Sequence, residues 1–198
     1  MVKADCGGCE GCSRCCHGMG NSIILDPYDV YRLTTGLKKS MQELLEAAVE
    51  LNVVDGVILP NLKMQGAEEA CAYLDSEGRC SIHPYRPGIC RLFPLGRYYE
   101  NGGFSYFLQT GECAKENRSK VKVSKWIDTP DLTRNQQFTL QWHDLLHAME
   151  ERLAGEDEGK QREENLLLLR LFYLLPYEGT IDFYTQFTER MEHWNGQI

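Results

Sequence analysis

Eleven residues near the start, Cys6-Gly7-Gly8-Cys9-Glu10-Gly11-Cys12-Ser13-Arg14-Cys15-Cys16, constrain this chain more than any other stretch. Five of the nine cysteines fall here, four of them spaced C-x2-C-x2-C-x2-C with Cys16 as an extra neighbour. A C-x-x-C turn lets two thiolates point at one centre, and a third on the same loop can join them on a metal ion or metal–sulfur cluster. Gly7, Gly8 and Gly11 suit a backbone wound tightly around an ion, because glycine tolerates positive φ. Packing gives no reason for five cysteines on so short a polar loop. The stretch reads as a metal knuckle.

The chain of 198 residues suits one domain, or a compact domain with an appendage, and can bury an ordinary core without cysteine staples. Its 42% hydrophobic and 25% charged residues fit a soluble globular protein. A net charge of −8 argues against nucleic acid or an anionic membrane as partner. No apolar run is long enough to span a bilayer, and Met1-Val2-Lys3-Ala4-Asp5 has no signal-like apolar core, so the expected compartment is the cytoplasm. Thiols stay reduced there. Metal ligation therefore precedes disulfides as a reading, and nine cysteines would leave one unpaired in any case.

Along the chain, Ser22 to Leu25 suggests a short strand. Asp26-Pro27 then caps a helix with Val30 and Leu33 on its apolar face and Gly36 at its end. Ser40-Met41-Gln42-Glu43 is a capping box for a second helix, with Leu44, Leu45, Ala48 and Leu51 at helical spacing. Val53 to Leu59, broken by Asp55-Gly56, predicts strand-turn-strand. A hairpin is expected with Cys71–Leu74 and Arg79–Ile82 as arms around Asp75–Gly78. Pro84 and Pro87 then exclude a regular strand or long helix. A second hairpin sets 97–99 against 104–107 across Asn101-Gly102-Gly103, its tyrosines and phenylalanines serving packing.

Residues 114–125 are basic, a solvated strand or linker rather than a binding patch. Three helices follow, near 135–153, 161–175 (stopped by Pro176) and 180–194. The expected fold class is α+β: a cysteine-clamped part of short hairpins and helices over 1–125, then a three-helix segment over 126–198 packed on it as one structural unit.

Outside the knuckle lie Cys71, Cys80, Cys90 and Cys113, each at a hairpin arm or turn that can aim a side chain without using core volume. Beside a five-cysteine loop, at least three of these four read as closing the sites that the loop opens. Zinc prefers two separated C-x-x-C pairs, whereas the crowded loop is closer to the ferredoxin run, without that run's C-x3-C-P ending. The balance favours an iron–sulfur cluster slightly over zinc. Eight cysteines could serve two four-ligand centres or one centre with spare thiols. Arg14, Arg86 and Arg91 adjoin the candidates and could offset thiolate charge.

Cys9-Glu10-Gly11-Cys12-Ser13-Arg14-Cys15-Cys16 resembles the signature of the YkgJ-type CxxCxxCC cysteine-cluster family, whose domains are described as chelating zinc or iron and which includes flagellin lysine N-methylases. The likeness runs on through Ile23 to Asp29, Cys71 to Leu74, Cys80-Ser81-Ile82-His83, Arg86-Pro87 and Cys90-Arg91, ending near Cys113. It implies metal ligation by Cys9, Cys12, Cys15, Cys16, Cys80 and Cys90, with Cys71 and Cys113 completing the candidate set. Cys6 extends the usual pattern. His83 stands where the family has tyrosine, as a substitute or an added ligand.

Other features carry less chemistry. Gly18-Met19-Gly20 is a bare GxG, without the strand–helix context of a cofactor loop. His143 and His147 are i, i+4 on a helix, opposite the Trp142–Leu145–Met149 stripe, and read as part of a charged, wet face. The leading function is metal chelation, with the ions themselves as partner. The alternatives are a metal-dependent enzyme related to protein lysine N-methyltransferases and a zinc-stapled interaction module.

Overall fold

The computed structural model describes residues 1–5, 7, 12–113, 115 and 117–197. Its strands are β1 (Val2–Asp5), β2 (Val49–Val54), β3 (Val57–Leu62), β4 (Met64–Gln65), β5 (Ala70–Cys71), β6 (Leu95–Glu100), β7 (Gly103–Leu108) and β8 (Ser119–Val121). Its helices are α1 (Pro27–Leu37), α2 (Met41–Ala47), α3 (Gly88–Leu92), α4 (Val123–Ile127), α5 (Leu132–Leu153), α6 (Glu158–Leu169) and α7 (Phe183–Asn195). The strands pair as four two-stranded antiparallel sheets, β1–β8, β2–β3, β4–β5 and β6–β7, so the class is α+β. Residues group into two compact units interleaved along the chain, 1–23 with 63–140 and 24–62 with 141–198. No described helix is long and apolar enough to cross a membrane.

The first unit contains all seven described cysteines. Its β6–β7 hairpin follows the sequence expectation, with Arg97 opposite Tyr106 and Tyr99 opposite Phe104. Asn101 and Gly102 both take positive φ, 51° and 69°, as the tight primed turn requires. Ring contacts Tyr99–Phe104 at 5.5 Å and Phe104–Tyr106 at 5.3 Å run along the hairpin, and the Phe107 ring fills the space beside Gly96 where a side chain would stand. These aromatics are packing groups. Leu92, Leu95 and Ile127 form a small core with Val2, Tyr106, Leu108, Val123 and Trp126 against it. The Trp126 indole N–H donates to the carbonyls of Leu92 and Phe93 at 3.3 and 3.2 Å, so its polar edge is satisfied where it packs.

In the second unit, Asp26 and Asp29 exchange capping hydrogen bonds of 2.8 and 3.2 Å at the start of α1, with Pro27 at the first helical position. Gly36 does not end this helix. The chain continues to Leu37 and leaves through Lys38, which adopts the left-handed conformation (φ 54°) while its N–H bonds the Thr34 carbonyl. Ser40 and Glu43 form the expected box, but α2 stops at Ala47 and Leu51 lies in β2. Helical spacing persists past the helix because Asp55-Gly56, both at positive φ, folds 49–54 back on 57–62 and recruits Leu51 to a strand. The strand expected at Ser22–Leu25 reduces to one bridge, Ile24 with Asn61, and a Leu25 N–H bond to the Pro60 carbonyl.

The last part of α5 joins α6 and α7 around Phe172, whose ring meets Trp142 at 5.1 Å, Phe187 at 5.9 Å and Trp194 at 6.1 Å. The buried Tyr173 hydroxyl donates to the Leu25 carbonyl at 3.1 Å. After Leu169 the helix widens into a π turn, Arg170–Leu174, before Pro176. A helix end leaves carbonyls without partners. Arg190 of α7 supplies them, donating to the carbonyls of Leu171, Leu175 and Pro176 at 2.7 to 3.0 Å, with its guanidinium 3.5 Å from the Tyr177 ring centre.

Asn165 ties α6 to the tip of the β2–β3 hairpin. Its side-chain oxygen accepts from the Ile58 N–H at 2.6 Å, and its nitrogen donates to the carbonyls of Gly56 (3.2 Å) and Gln161 (2.9 Å). Asn165 is 3% exposed, so water does not replace these bonds. Asn165→Ala should lower stability by about 2–3 kcal/mol, read as an earlier midpoint in urea, with Leu166→Ala on the exposed side changing it little.

Candidate metal centre

The centre is built by a backbone seam. At the end of the knuckle, Arg14–Cys16 makes a single 3-10 turn, and His17 then bridges to Ala70. The Gly18 N–H donates to the Glu69 carbonyl at 3.0 Å, and His17 Nδ1 lies 3.3 Å from the Glu68 carbonyl oxygen. Gly18 and Glu69 both take positive φ, 63° and 45°, which turns each strand segment away after a single contact. This pairing sets Cys15 and Cys16 beside Cys71 of β5.

A second seam brings in Cys80. The Asp75–Gly78 turn is closed by Gly78 N–H to the Asp75 carbonyl at 3.0 Å, and the Asp75 carboxylate accepts from the Glu77 and Arg79 N–H groups at 3.0 and 2.8 Å. The expected hairpin is present in reduced form: Leu74 bridges Cys80, and Ser81 donates from both N–H and hydroxyl to the Tyr73 carbonyl. Cys71 does not share its ladder, because β5 pairs instead with β4. The turn reaches the knuckle, since a side chain at Gly78 (φ 70°) would stand 3.7 Å from Ser13 Oγ.

Cys15, Cys16, Cys71 and Cys80 are consequently half-buried and within electrostatic reach of one another. The Cys16 thiol donates to Cys15, so the pair gives up one proton readily and holds the other. Cys15 is drawn down to about 6, chiefly by that hydrogen bond and with help from Arg86. Cys16 is pushed above the ordinary thiol range by the same bond, by burial, and by the charges that Cys15, Cys71 and Cys80 would carry. Burial raises Cys71 and Cys80 too, with neighbouring thiols adding to it and Arg86 opposing it at Cys80. Four sulfurs gathered like this resist joint ionisation unless a cation joins them.

The other candidates lie apart along the chain. Cys12 precedes the 3-10 turn, Cys90 is on α3 and Cys113 follows β7, all half-buried. Cys6 and Cys9 lie outside the described residues. The seven described cysteines carry thiols rather than disulfides. Among the described residues, no three cysteine, histidine or acidic side chains approach closely enough to hold one ion. Arg86 acts on the Cys15 and Cys80 thiols. It also donates to His83 Nε2 at 2.9 Å, and burial with the Arg86 charge draws His83 below its usual range, so His83 is a neutral brace for Arg86. The Gly18-Met19-Gly20 stretch turns the chain out of the seam. Sequence reading did not find the His17–Ala70 pairing; its only local signal is a glycine at 18 just after the last knuckle cysteine.

A family model, CxxCxxCC, described as a “putative zinc- or iron-chelating domain”, matches residues 8–113. No curated protein and no solved structure matches the chain.

The asymmetric thiol pair has a chemical signature. In metal-free protein at pH 7, Cys15 should be largely thiolate and alkylate well ahead of Cys71 and Cys80. Cys16→Ala removes the donor and should abolish that lead, as followed by peptide mass spectrometry over an iodoacetamide time course.

Proposed function

The chain belongs to the CxxCxxCC family, and on that footing we propose that it is a metal chelator whose centre is organised on Cys15, Cys16, Cys71 and Cys80. What supports this reading is that these four thiols, drawn from separated stretches, are half-buried and within electrostatic reach of one another, with the Arg86 guanidinium acting on Cys15 and Cys80. The donor set fits the group: thiolates are soft ligands taken by zinc and by iron–sulfur clusters, and a thiol set that resists ionising alone is stabilised by a cation. Cys9, Cys12, Cys90 and Cys113 are the remaining candidate ligands. An iron–sulfur cluster is favoured over zinc by the crowding of cysteines at two-residue intervals in the knuckle.

Bound metal supplies either a structural clamp or an electron-carrying centre. The chain's own residues contribute orientation and charge. The two seams fix the Cys15–Cys16 and Cys71–Cys80 backbones, and Arg86, steadied by His83, lowers the charge cost around Cys15 and Cys80.

Anaerobic purification followed by metal and acid-labile sulfide analysis tests the reading. Iron with matching sulfide and a broad visible absorption is expected. Zinc in colourless protein would replace the cluster with a tetrahedral ion, and protein without metal would overturn chelation. Cys80→Ser and Cys15→Ser should each drop metal below stoichiometric and lower the melting temperature, because ligation is coupled to folding.

Metal uptake should also release protons. Cys16, Cys71 and Cys80 sit above the usual thiol range and are protonated at neutral pH, so affinity should rise with pH. Calorimetric titration in buffers of differing ionisation enthalpy should give more than one proton released per ion.

A further inference from the structure

The geometry points to a second metal site on the solvent face of α5, in which His143 and His147 chelate one divalent transition ion of the imidazole-preferring kind. It lies in the other unit from the thiols and uses none of them.

One helical turn separates the two histidines, and their ring centres stand 6.3 Å apart with planes at 88°. Two imidazole nitrogens on one ion, each at about 2.0–2.1 Å, lie some 3–3.5 Å from one another. Rotation about the side-chain torsions closes the remaining gap. Both side chains reach water, 35% and 58% exposed.

Carboxylates border both rings. His143 Nδ1 lies 3.4 Å from Asp144 Oδ1, and His147 Nδ1 forms a longer ion pair with Glu151 Oε1 at 3.7 Å. Outer carboxylates of this kind orient metal-binding histidines. Glu150, Glu151 and Asp144 all act electrostatically on His147, so the patch attracts cations as well. Imidazole with carboxylate and water suits nickel, zinc and copper(II).

The test uses full-length protein carrying its native metal, titrated with Ni2+ by calorimetry in a non-coordinating buffer. The wild type should take up one further saturable equivalent. His143→Gln and His147→Gln should each weaken it by roughly tenfold or more, since the second imidazole then no longer acts intramolecularly. A register control, His147→Gln with Ala148→His, keeps two histidines but sets them five residues apart and should bind as weakly as the single variants. Metal content at the thiols should be the same in all variants, and circular dichroism should show α5 retained. In amide spectra, Ni2+ should broaden residues around 143–151 first. Equal uptake by wild type and the double variant His143→Gln/His147→Gln, or undiminished uptake by the register control, would overturn the proposal.

Discussion

The first unit depends on one short backbone contact, the pairing of His17 and Gly18 with Glu69 and Ala70. His17 and Glu68 are 51 residues apart in sequence, so closing this loop carries an entropic cost. What the closure assembles is not self-stabilising: of four half-buried thiols, Cys16, Cys71 and Cys80 are each harder to ionise beside the others. A hydrophobic cluster gains from proximity, whereas a sulfur cluster gains only when something positive sits among the sulfurs. Backbone seam and bound cation are therefore complementary. The seam fixes where the sulfurs are, and the cation makes that placement favourable.

Local structure was legible wherever one residue type settles a backbone conformation. Asp26-Pro27 and Ser40 with Glu43 opened helices as read, because a side-chain oxygen three residues from an orphan N–H leaves little alternative. Asp55-Gly56 and Asn101-Gly102 made their turns for a similar reason. Legibility failed where a pattern outlived its element. Leu51 continues a helical spacing yet sits in a strand, and Gly36 resembles a stop yet stays helical because Lys38 takes the left-handed turn. The interleaving of the two units had no local signal. It arises from long-range bonds such as Asn165 to Ile58, which hold the 24–62 segment with the C-terminal helices.

In the candidate centre, metal chelation was legible and geometry was not. Spacing and crowding named the knuckle and its distant partners as candidate ligands without saying which partners come nearest. That order follows from the His17–Ala70 bridge, which sets Cys71 beside Cys15 and Cys16, and from the Leu74–Cys80 bridge and the Asp75–Gly78 turn, which bring in Cys80. The role of His83 was open for the same reason. Its Cys80-x-x-His83 spacing looks like ligation, yet the single turn of helix through Tyr85 returns Arg86 to its Nε2. A histidine three residues from a cysteine can reach either the metal or the next cation along the turn, and spacing alone does not choose.

Donor chemistry then decides how two metal loci on one polypeptide would divide their ions. The thiols around Cys16 are half-buried and soft, and their charges would repel, so they favour an ion or cluster that takes several sulfurs at once and exchanges slowly. The His143–His147 pair is exposed, carries only two imidazoles and leans on water and carboxylates for its remaining positions. Such a site binds weakly and exchanges fast. The separation lies in ligand softness and solvent access. An ion able to occupy both would rest at the thiols and pass transiently over the helix.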